Sequence, residues 1–191
     1  MLKYVAQIMK LRNQSVVFKM TLLGLSLALF IVLNYASFNL QFVKFSLKGL
    51  PVIFVSVVFG PLSGMLVGGL GELINQLVSP YGITATTPLW IVPWILQGLI
   101  VGLLFKQKHV KAHPVLWIIT VITCCIGVTA TNTLVIWVDG LIMGYNPNLT
   151  KINIVIRFAG SIASAVLYAI ITPFLFEPLI KQGKFDIEKE A

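Results

Sequence analysis

The chain has few charged residues, and most of those it has are basic. Only 10% of its 191 residues are charged, with 6 acidic side chains against 14 Lys and Arg. Hydrophobic residues make up 58% of the chain and the mean hydropathy is +0.94. Soluble domains carry about 25% charged residues, so this composition excludes an ordinary soluble protein. Because a helix needs about 20 apolar residues to cross a bilayer, the length allows about six spans and no separate soluble domain.

Cysteine and histidine are equally scarce. Cys124 and Cys125 are adjacent within an apolar run. Adjacent helical side chains point apart, which argues against a disulfide or a metal site there. His109 and His113 lie in a short basic loop without a nearby carboxylate. We therefore expect no metal and no cofactor.

Motifs of enzymes and nucleotide-binding proteins are also missing. The chain has no glycine-rich phosphate loop and no nucleophile elbow, so we expect no catalytic residues. Any ATP hydrolysis would then take place in partner subunits. Basic residues interrupt the first 20 positions, so we expect no cleavable signal peptide. No internal repeat is evident, and such repeats are usual in alternating-access carriers.

The apolar runs predict an all-α membrane protein with six transmembrane helices in a single domain, 1–191. We expect the spans within 17–176, between a cytoplasmic N-terminal segment, 1–16, and a cytoplasmic tail, 177–191. Glycine, proline and polar residues between the runs predict a tight turn at Gly60-Pro61 and two ordered loops, 79–88 and 139–150. A further loop, 37–48, alternates polar and aromatic residues.

Basic residues predict the orientation. With six spans, only Lys44, Lys48, Lys151 and Arg157 of the 14 Lys and Arg fall on the side opposite the termini. Cytoplasmic loops carry the excess of basic residues, so both termini are expected in the cytoplasm of a bacterial cell, with the spans in its inner or plasma membrane. The positive charge thus indicates topology, and we expect no nucleic acid as partner.

Polar side chains of the spans concentrate in their outer halves, whereas the inner halves are almost purely aliphatic. This asymmetry predicts a ligand pocket that opens to the outside and is sealed from the cytoplasm. A continuous channel would need polar residues through the full depth. The candidate substrate-binding residues are Lys48, Glu72, Asn75, Trp90, Trp94, Gln97, Asn132, Arg157 and Ser161.

Each charged candidate has two interpretations. Arg157 is suited to bidentate binding of a ligand carboxylate, or it neutralises Glu72 or Asp139. Lys48 binds the same anion or extends to the membrane interface. Glu72 contacts the ligand or serves as an internal partner, because a carboxylate within a span costs about 2.5–3.5 kcal/mol unless it faces a partner or a cavity.

The uncharged candidates also have two interpretations each. Trp90 and Trp94 stack on a ligand ring, or they anchor the helix at the membrane interface. Asn132 and Gln97 line the pocket, or they form hydrogen bonds between helices. Gly64, Gly68 and the residues around them form a small-xxx-small face, which lets a neighbouring helix approach closely.

The segment FVKFSLKGLPVIFVSVVFGPLSGMLVGGLGELINQL, residues 42–77, resembles the substrate-binding S component of energy-coupling factor (ECF) vitamin transporters. It is most similar to the folate-family branch, in which a basic aromatic loop precedes "LP" and then "FGP…G…VGGLGD". Glu72 occupies the position of the usual Asp. The branch generally has Phe-Pro-Gly-Phe-Thr before span 4, where this chain has 86–90, TTPLW. The substrate therefore need not be folate.

The resemblance implies a vitamin-capture subunit that works with a transmembrane coupling subunit and, through it, two ABC ATPases. Loops 37–48 and 79–88 would close over the vitamin, and the subunit would topple within the lipid bilayer to release it inward. Gly24 and Ala28 resemble the small-residue patch that docks span 1 on the coupling subunit. Two basic groups and flanking aromatics favour an anionic vitamin, with folate and pantothenate as the leading candidates and cobalamin also possible. The alternatives are an assembly subunit without a ligand and a stand-alone secondary carrier.

Overall fold

The structure is a computed structural model that describes residues 15–35, 38–40, 43–45, 47–80, 82–106, 114–146, 151–152 and 154–172. Within these ranges six long or medium helices form a bundle. They are α1 (Val16–Tyr35), α2 (Gly49–Phe59), α3 (Pro61–Val78), α4 (Thr87–Leu104), α5 (Pro114–Met143) and α6 (Ile154–Thr172).

A short antiparallel hairpin lies between α1 and α2. Its strands are β1 (Phe38–Leu40) and β2 (Val43–Phe45), and Phe38 is opposite Phe45 in the register. The prediction of an all-α protein is correct for the bundle but missed this hairpin, because three-residue strands are too short to produce a recognisable alternation of polar and apolar residues.

Four of the helices are long and apolar enough to cross a membrane: α1, α4, α6 and residues Ile118–Met143 of α5. The fifth, α2, is apolar but has 11 residues, which span only about 16 Å at 1.5 Å per residue. The sixth, α3, has 18 residues and carries Glu72, Asn75 and Gln76 in its second half. The fold is thus that of a multi-pass helical membrane protein, and the count of six spans remains a prediction.

The turn between α2 and α3 was predicted correctly. Gly60 has a φ of 97°, a backbone conformation that side-chain-bearing residues rarely adopt. Pro61 then occupies the first turn of α3, where its missing N–H costs nothing. This pair separates one apolar run into two helices that pack against each other.

Helix α5 is longer than the sequence indicated. The loop predicted for 139–150 begins too early, since Asp139 and Gly140 are helical and α5 continues to Met143. The helix ends where Gly144 adopts a φ of 69° and the Tyr145 N–H donates to the Gly140 carbonyl over 2.9 Å, a Schellman-type end. Two glycines and a proline in this segment favour a loop, but the apolar residues 141–143 extend the helix beyond Gly140. In the same way, the loop predicted for 79–88 is shorter, because α4 starts at Thr87.

Helices α3 and α4 pack backbone against backbone. A methyl group added to Gly98 would overlap the backbone of Gly64 and Met65, and one added to Gly68 would overlap the carbonyl of Trp94. The predicted small-residue face of Gly64 and Gly68 is therefore confirmed, and its neighbour is α4. This close approach brings the polar second half of α3 next to the first half of α4.

Apolar packing fills the bundle away from those polar segments. One buried cluster includes Ile53 and Val57 of α2, Val101 of α4, Val121 of α5, and Phe105 just after α4. The cluster thus joins α2 to the second half of α4 and the first half of α5. A cavity in the bundle is therefore closed off at this end.

Some predictions fall on residues outside the described ranges. These are the N-terminal segment up to residue 14, the loop with His109 and His113, parts of the predicted loops 37–48, 79–88 and 139–150, and the chain from residue 173 onward.

Candidate ligand-binding cavity

A cavity of about 850 Å³ lies within the bundle. Ligand pockets for small molecules usually measure about 300–1,000 Å³. Eight of the nine candidate residues line it: Lys48, Glu72, Trp90, Trp94, Gln97, Asn132, Arg157 and Ser161. The ninth, Asn75, is buried behind the wall and contacts Glu72. The structure thus brings together candidate residues of four helices, α3 to α6, and Lys48, which precedes α2.

The cavity lies at one end of the bundle. Its described lining comes from residues 34–35 of α1, 72–76 of α3, 90–97 of α4, 125–143 of α5 and 157–168 of α6, together with Lys48 and residues of the segment 79–86. Thus α1, α3 and α5 contribute mainly their C-terminal halves, and α4 and α6 mainly their N-terminal halves, as expected when successive long helices cross the bilayer in opposite directions. The concentration of polar residues at one depth, inferred from the sequence, is therefore present in the fold.

Glu72 is the centre of a hydrogen-bonded network. The Lys48 ammonium lies 2.8 Å from Glu72 Oε2, Gln76 Nε2 donates to Oε1 over 3.2 Å, and Asn75 Nδ2 donates to Oε2 over 3.4 Å. Asn75 and Gln76 reach Glu72 because i+3 and i+4 positions share a helix face. Both carboxylate oxygens therefore have donors, and Glu72 acts as an internal partner.

The Lys48 ammonium also lies against two aromatic rings. It is 4.3 Å from the centroid of Trp94 and 5.5 Å from that of Phe30, within the range of cation–π attraction. The two rings meet edge to face, with centroids 5.3 Å apart and planes at 87°. Lys48 therefore does not extend to the membrane interface, and Trp94 is buried instead of anchoring the helix in lipid.

Arg157 lies in the cavity wall beside Trp90. Its guanidinium carbon is 5.4 Å from the Trp90 ring centroid. Among the residues that the structure describes, the one ion pair is Lys48–Glu72, so no described carboxylate lies within 4 Å of the Arg157 guanidinium. The charge of Glu72 still acts on Arg157 from beyond ion-pair distance, so both predicted roles of Arg157, ligand binding and neutralisation of a carboxylate, remain predictions.

Two buried amide side chains, one in the cavity wall and one behind it, each have an acceptor oxygen without a donor among the described residues. Gln97 is 2% exposed, and within the described part of the chain its Oε1 has no hydrogen-bond donor, nor does Asn75 Oδ1. A buried acceptor without a donor costs about 1–3 kcal/mol. Gln97 is therefore available to a hydrogen-bonding ligand after a rotation of its amide.

Hydroxyl groups cover much of the remaining wall. Thr129 and Thr133 of α5 donate to carbonyls of their own helix, and Ser161 and Ser164 of α6 do the same. Their hydrogens are committed to the backbone, but the oxygens can still accept. Asn132 lies in the same wall.

The sequence analysis missed several lining residues. Asp139, now placed in α5, lines the cavity and is 7% exposed; the apolar residues on both sides of it were the signal for a continuing helix. Thr84 and Thr86 also line the cavity, and their hydroxyl oxygens are 3.1 Å apart. Tyr168 also lines the cavity, and its hydroxyl oxygen accepts a hydrogen bond from the Gly49 N–H over 3.1 Å.

The predicted docking residues lie away from the cavity. Gly24 and Ala28 are exposed on α1, and a methyl group added to Gly24 would meet nothing within 4 Å. The described structure thus leaves this surface open, while α1 contributes Asn34 and Tyr35 to the cavity at its other end.

Comparison with curated proteins gives short matches. The chain is 41% identical over 56 residues to UPF0397 proteins of Streptococcus pneumoniae strains Hungary19A-6 and CGSP14. In both cases the match covers 29% of this chain and 29% of the relative. The alignment therefore spans less than a third of these relatives.

The match to a protein family is far more extensive. The family described as "ECF transporter, substrate-specific component" matches residues 18–182, which include nearly all of the six helices and every residue of the cavity wall. The resemblance inferred from residues 42–77 is thereby confirmed at the level of this family, whose members are transporter components and not enzymes. The chain belongs to the ECF transporter substrate-specific component family.

Proposed function

We propose that this protein is the high-affinity substrate-capture subunit of an ECF-type ATP-driven vitamin importer. The observation that carries the proposal is the cavity of about 850 Å³, which places polar and aromatic side chains in a bundle that is otherwise apolar. A subunit that only held others together would gain nothing from such a cavity. Polar groups within a membrane are costly and are usually functional.

The substrate we propose is an anionic, water-soluble vitamin. Arg157 supplies a guanidinium that has no carboxylate within 4 Å among the described residues, and this geometry suits a ligand carboxylate. Trp90 and Trp94 provide aromatic faces in the same wall. The cavity volume favours folate or pantothenate over the larger cobalamin. The similarity to the folate-family branch supports folate.

The candidate residues then divide by role. Arg157 binds the anion, Trp90 and Trp94 contact ligand rings, and Gln97, Asn132 and Ser161 provide hydrogen bonds. Lys48 is held in the cavity wall between Glu72 and the aromatic pair of Trp94 and Phe30. Glu72 and Asn75 are positioning residues that hold Lys48 in place.

The arrangement in the membrane completes the proposal. The single domain crosses the membrane six times, both termini are cytoplasmic, and the cavity opens outward, as the distribution of basic residues indicates. Gly24 and Ala28 dock on the transmembrane coupling subunit, which links the protein to two ABC ATPases. The remaining exposed apolar side chains contact lipid.

The first test is mass spectrometry of small molecules released from the detergent-purified protein, followed by calorimetric titration of whatever is found. We expect a tightly retained vitamin that rebinds after removal. An empty protein that also ignores folate, pantothenate and cobalamin would support the assembly-subunit alternative instead.

A second test separates the coupled importer from a stand-alone carrier. Uptake of the identified vitamin is measured in cells with the coupling subunit and ATPases present, and in matched cells that lack the ATPases. We expect uptake only in the first. Equal uptake in both would show a secondary carrier.

A further inference from the structure

Among the residues that the structure describes, four charged side chains line the cavity: Lys48, Glu72, Asp139 and Arg157. Two of them form an ion pair, because the Lys48 ammonium lies 2.8 Å from Glu72 Oε2. Gln76 donates to the other oxygen of the same carboxylate. The described wall thus leaves Asp139 and Arg157, one charge of each sign, without an ion pair within 4 Å.

Asp139 is the unmatched acid. It is 7% exposed, it lines the cavity, and no described cation lies within 4 Å of its carboxylate. It also lies four residues before the end of α5 at Met143, where the negative end of the helix dipole disfavours a carboxylate. A buried carboxylate at this position weakens the folded protein, unless a donor reaches it.

Arg157 is the unmatched base. Its guanidinium lies over the face of Trp90, 5.4 Å away, and the charge of Glu72 acts on it from beyond ion-pair distance. A guanidinium on an aromatic ring retains its in-plane N–H donors, which bind a carboxylate in a bidentate manner. The cavity thus has the guanidinium N–H donors of Arg157 on α6 and the acceptor carboxylate of Asp139 on α5.

We propose, on the basis of the proposed function, that the substrate carries two recognition groups of opposite character. A carboxylate of the ligand binds Arg157, and a nitrogen donor of the ligand, either an amino-substituted heterocycle or a protonated amine, binds Asp139. Asp139 is therefore a specificity-determining residue that selects against anions without such a nitrogen.

This proposal separates the candidate vitamins. Folate carries carboxylates at one end and an amino-substituted pteridine at the other, so it satisfies both residues. Pantothenate carries a carboxylate but neither an amine nor an amino-heterocycle. We expect the purified full chain in nanodiscs to bind folate at least 10-fold more tightly than pantothenate in calorimetric titrations.

Substitutions test the two contacts separately. Asp139→Asn preserves the shape and removes the charge, and Arg157→Gln removes the donor fork. Each should weaken folate binding about 10- to 100-fold, the range for a hydrogen bond to a charged group. Thr131→Val is the matched control, because Thr131 is on α5, does not line the cavity, and bonds only to backbone carbonyls of its own helix. It should leave folate binding unchanged.

The double variant distinguishes ligand binding from an internal ion pair. If Asp139 and Arg157 bind different parts of folate, their effects multiply, whereas residues that only neutralise each other give a double variant no worse than either single one. Should Asp139→Asn fail to fold, Asp139→Glu retains the charge, displaces the carboxylate, and should still weaken folate binding.

The binding results show whether the two-group proposal fails alone or together with the proposed function. Pantothenate binding at least as tightly as folate, or folate binding that Asp139→Asn leaves unchanged, overturns the two-group proposal and leaves a substrate-binding subunit. If a different molecule is retained, a carboxylate together with an amino-substituted heterocycle or a protonated amine supports the proposal, and the lack of either group overturns it. A protein that retains nothing and binds neither probe overturns both.

Discussion

The Lys48 ammonium lies 2.8 Å from Glu72 Oε2, across 24 residues of sequence. The side chains are 12% and 7% exposed, so the pair is largely removed from solvent. It connects the residue that precedes α2 to the polar half of α3, and it holds the ammonium above the ring of Trp94. One ion pair therefore shapes the wall of the cavity on this side.

Removing one partner of this pair should destabilise the protein more than removing both. Glu72→Gln leaves a buried ammonium without its anion, which costs about 3–5 kcal/mol, whereas replacing both charges is often nearly neutral. We expect the melting temperature in detergent to fall for Glu72→Gln and to recover in the double variant with Lys48→Met. A double variant as unstable as the sum of both single variants would contradict this.

Close packing of α3 on α4 should make Gly98 intolerant of even one methyl group. The new atom would overlap the backbone of Gly64 and Met65, and such overpacking costs about 1–3 kcal/mol. The control is Gly127→Ala, since a methyl group at Gly127 meets nothing within 4 Å. Thermal unfolding should show a clear loss for Gly98→Ala and no loss for Gly127→Ala. Equal melting temperatures would mean that the helices are not in backbone contact.

Gly24 should matter for transport and not for folding. Gly24→Leu adds bulk on an exposed surface of α1, where the described structure has nothing within 4 Å. We expect unchanged vitamin binding but at least a several-fold loss of co-purification with the coupling subunit and of uptake. The same substitution at Gly127, which is also open, should leave both intact. If the two variants behave alike, α1 is not the docking surface.

Arg157 should contribute both charge and geometry to the affinity for an anionic vitamin. Arg157→Lys retains the charge but loses the planar fork, so its dissociation constant should lie between those of the wild type and Arg157→Gln. Titrations at two salt concentrations would show the charge contribution. Trp90→Phe is the companion variant, because it preserves a ring under the guanidinium. Equal affinity for the wild type and both Arg157 variants would remove Arg157 from the site.

Much of the fold and of the cavity wall was predictable from local pattern. Glycine and proline mark the boundary at Gly60-Pro61, and the helical spacing of Glu72, Asn75 and Gln76 brings their side chains together. The errors occurred where a local signal was ambiguous. Asp139-Gly140 looks like a turn by composition, yet it continues α5.

Composition and the apolar runs were enough to identify a multi-pass membrane protein, and residues 42–77 were enough to indicate its family. The position of each polar residue along its own helix predicted that these side chains collect together. Which charges meet could be read only from the packed bundle: Glu72 pairs with Lys48, Arg157 lies on Trp90, and Asp139 joins the cavity wall. A side chain's partners depend on the rotation and offset of one helix against another, and glycine contacts such as Gly98 with Gly64 set these distances across the bundle.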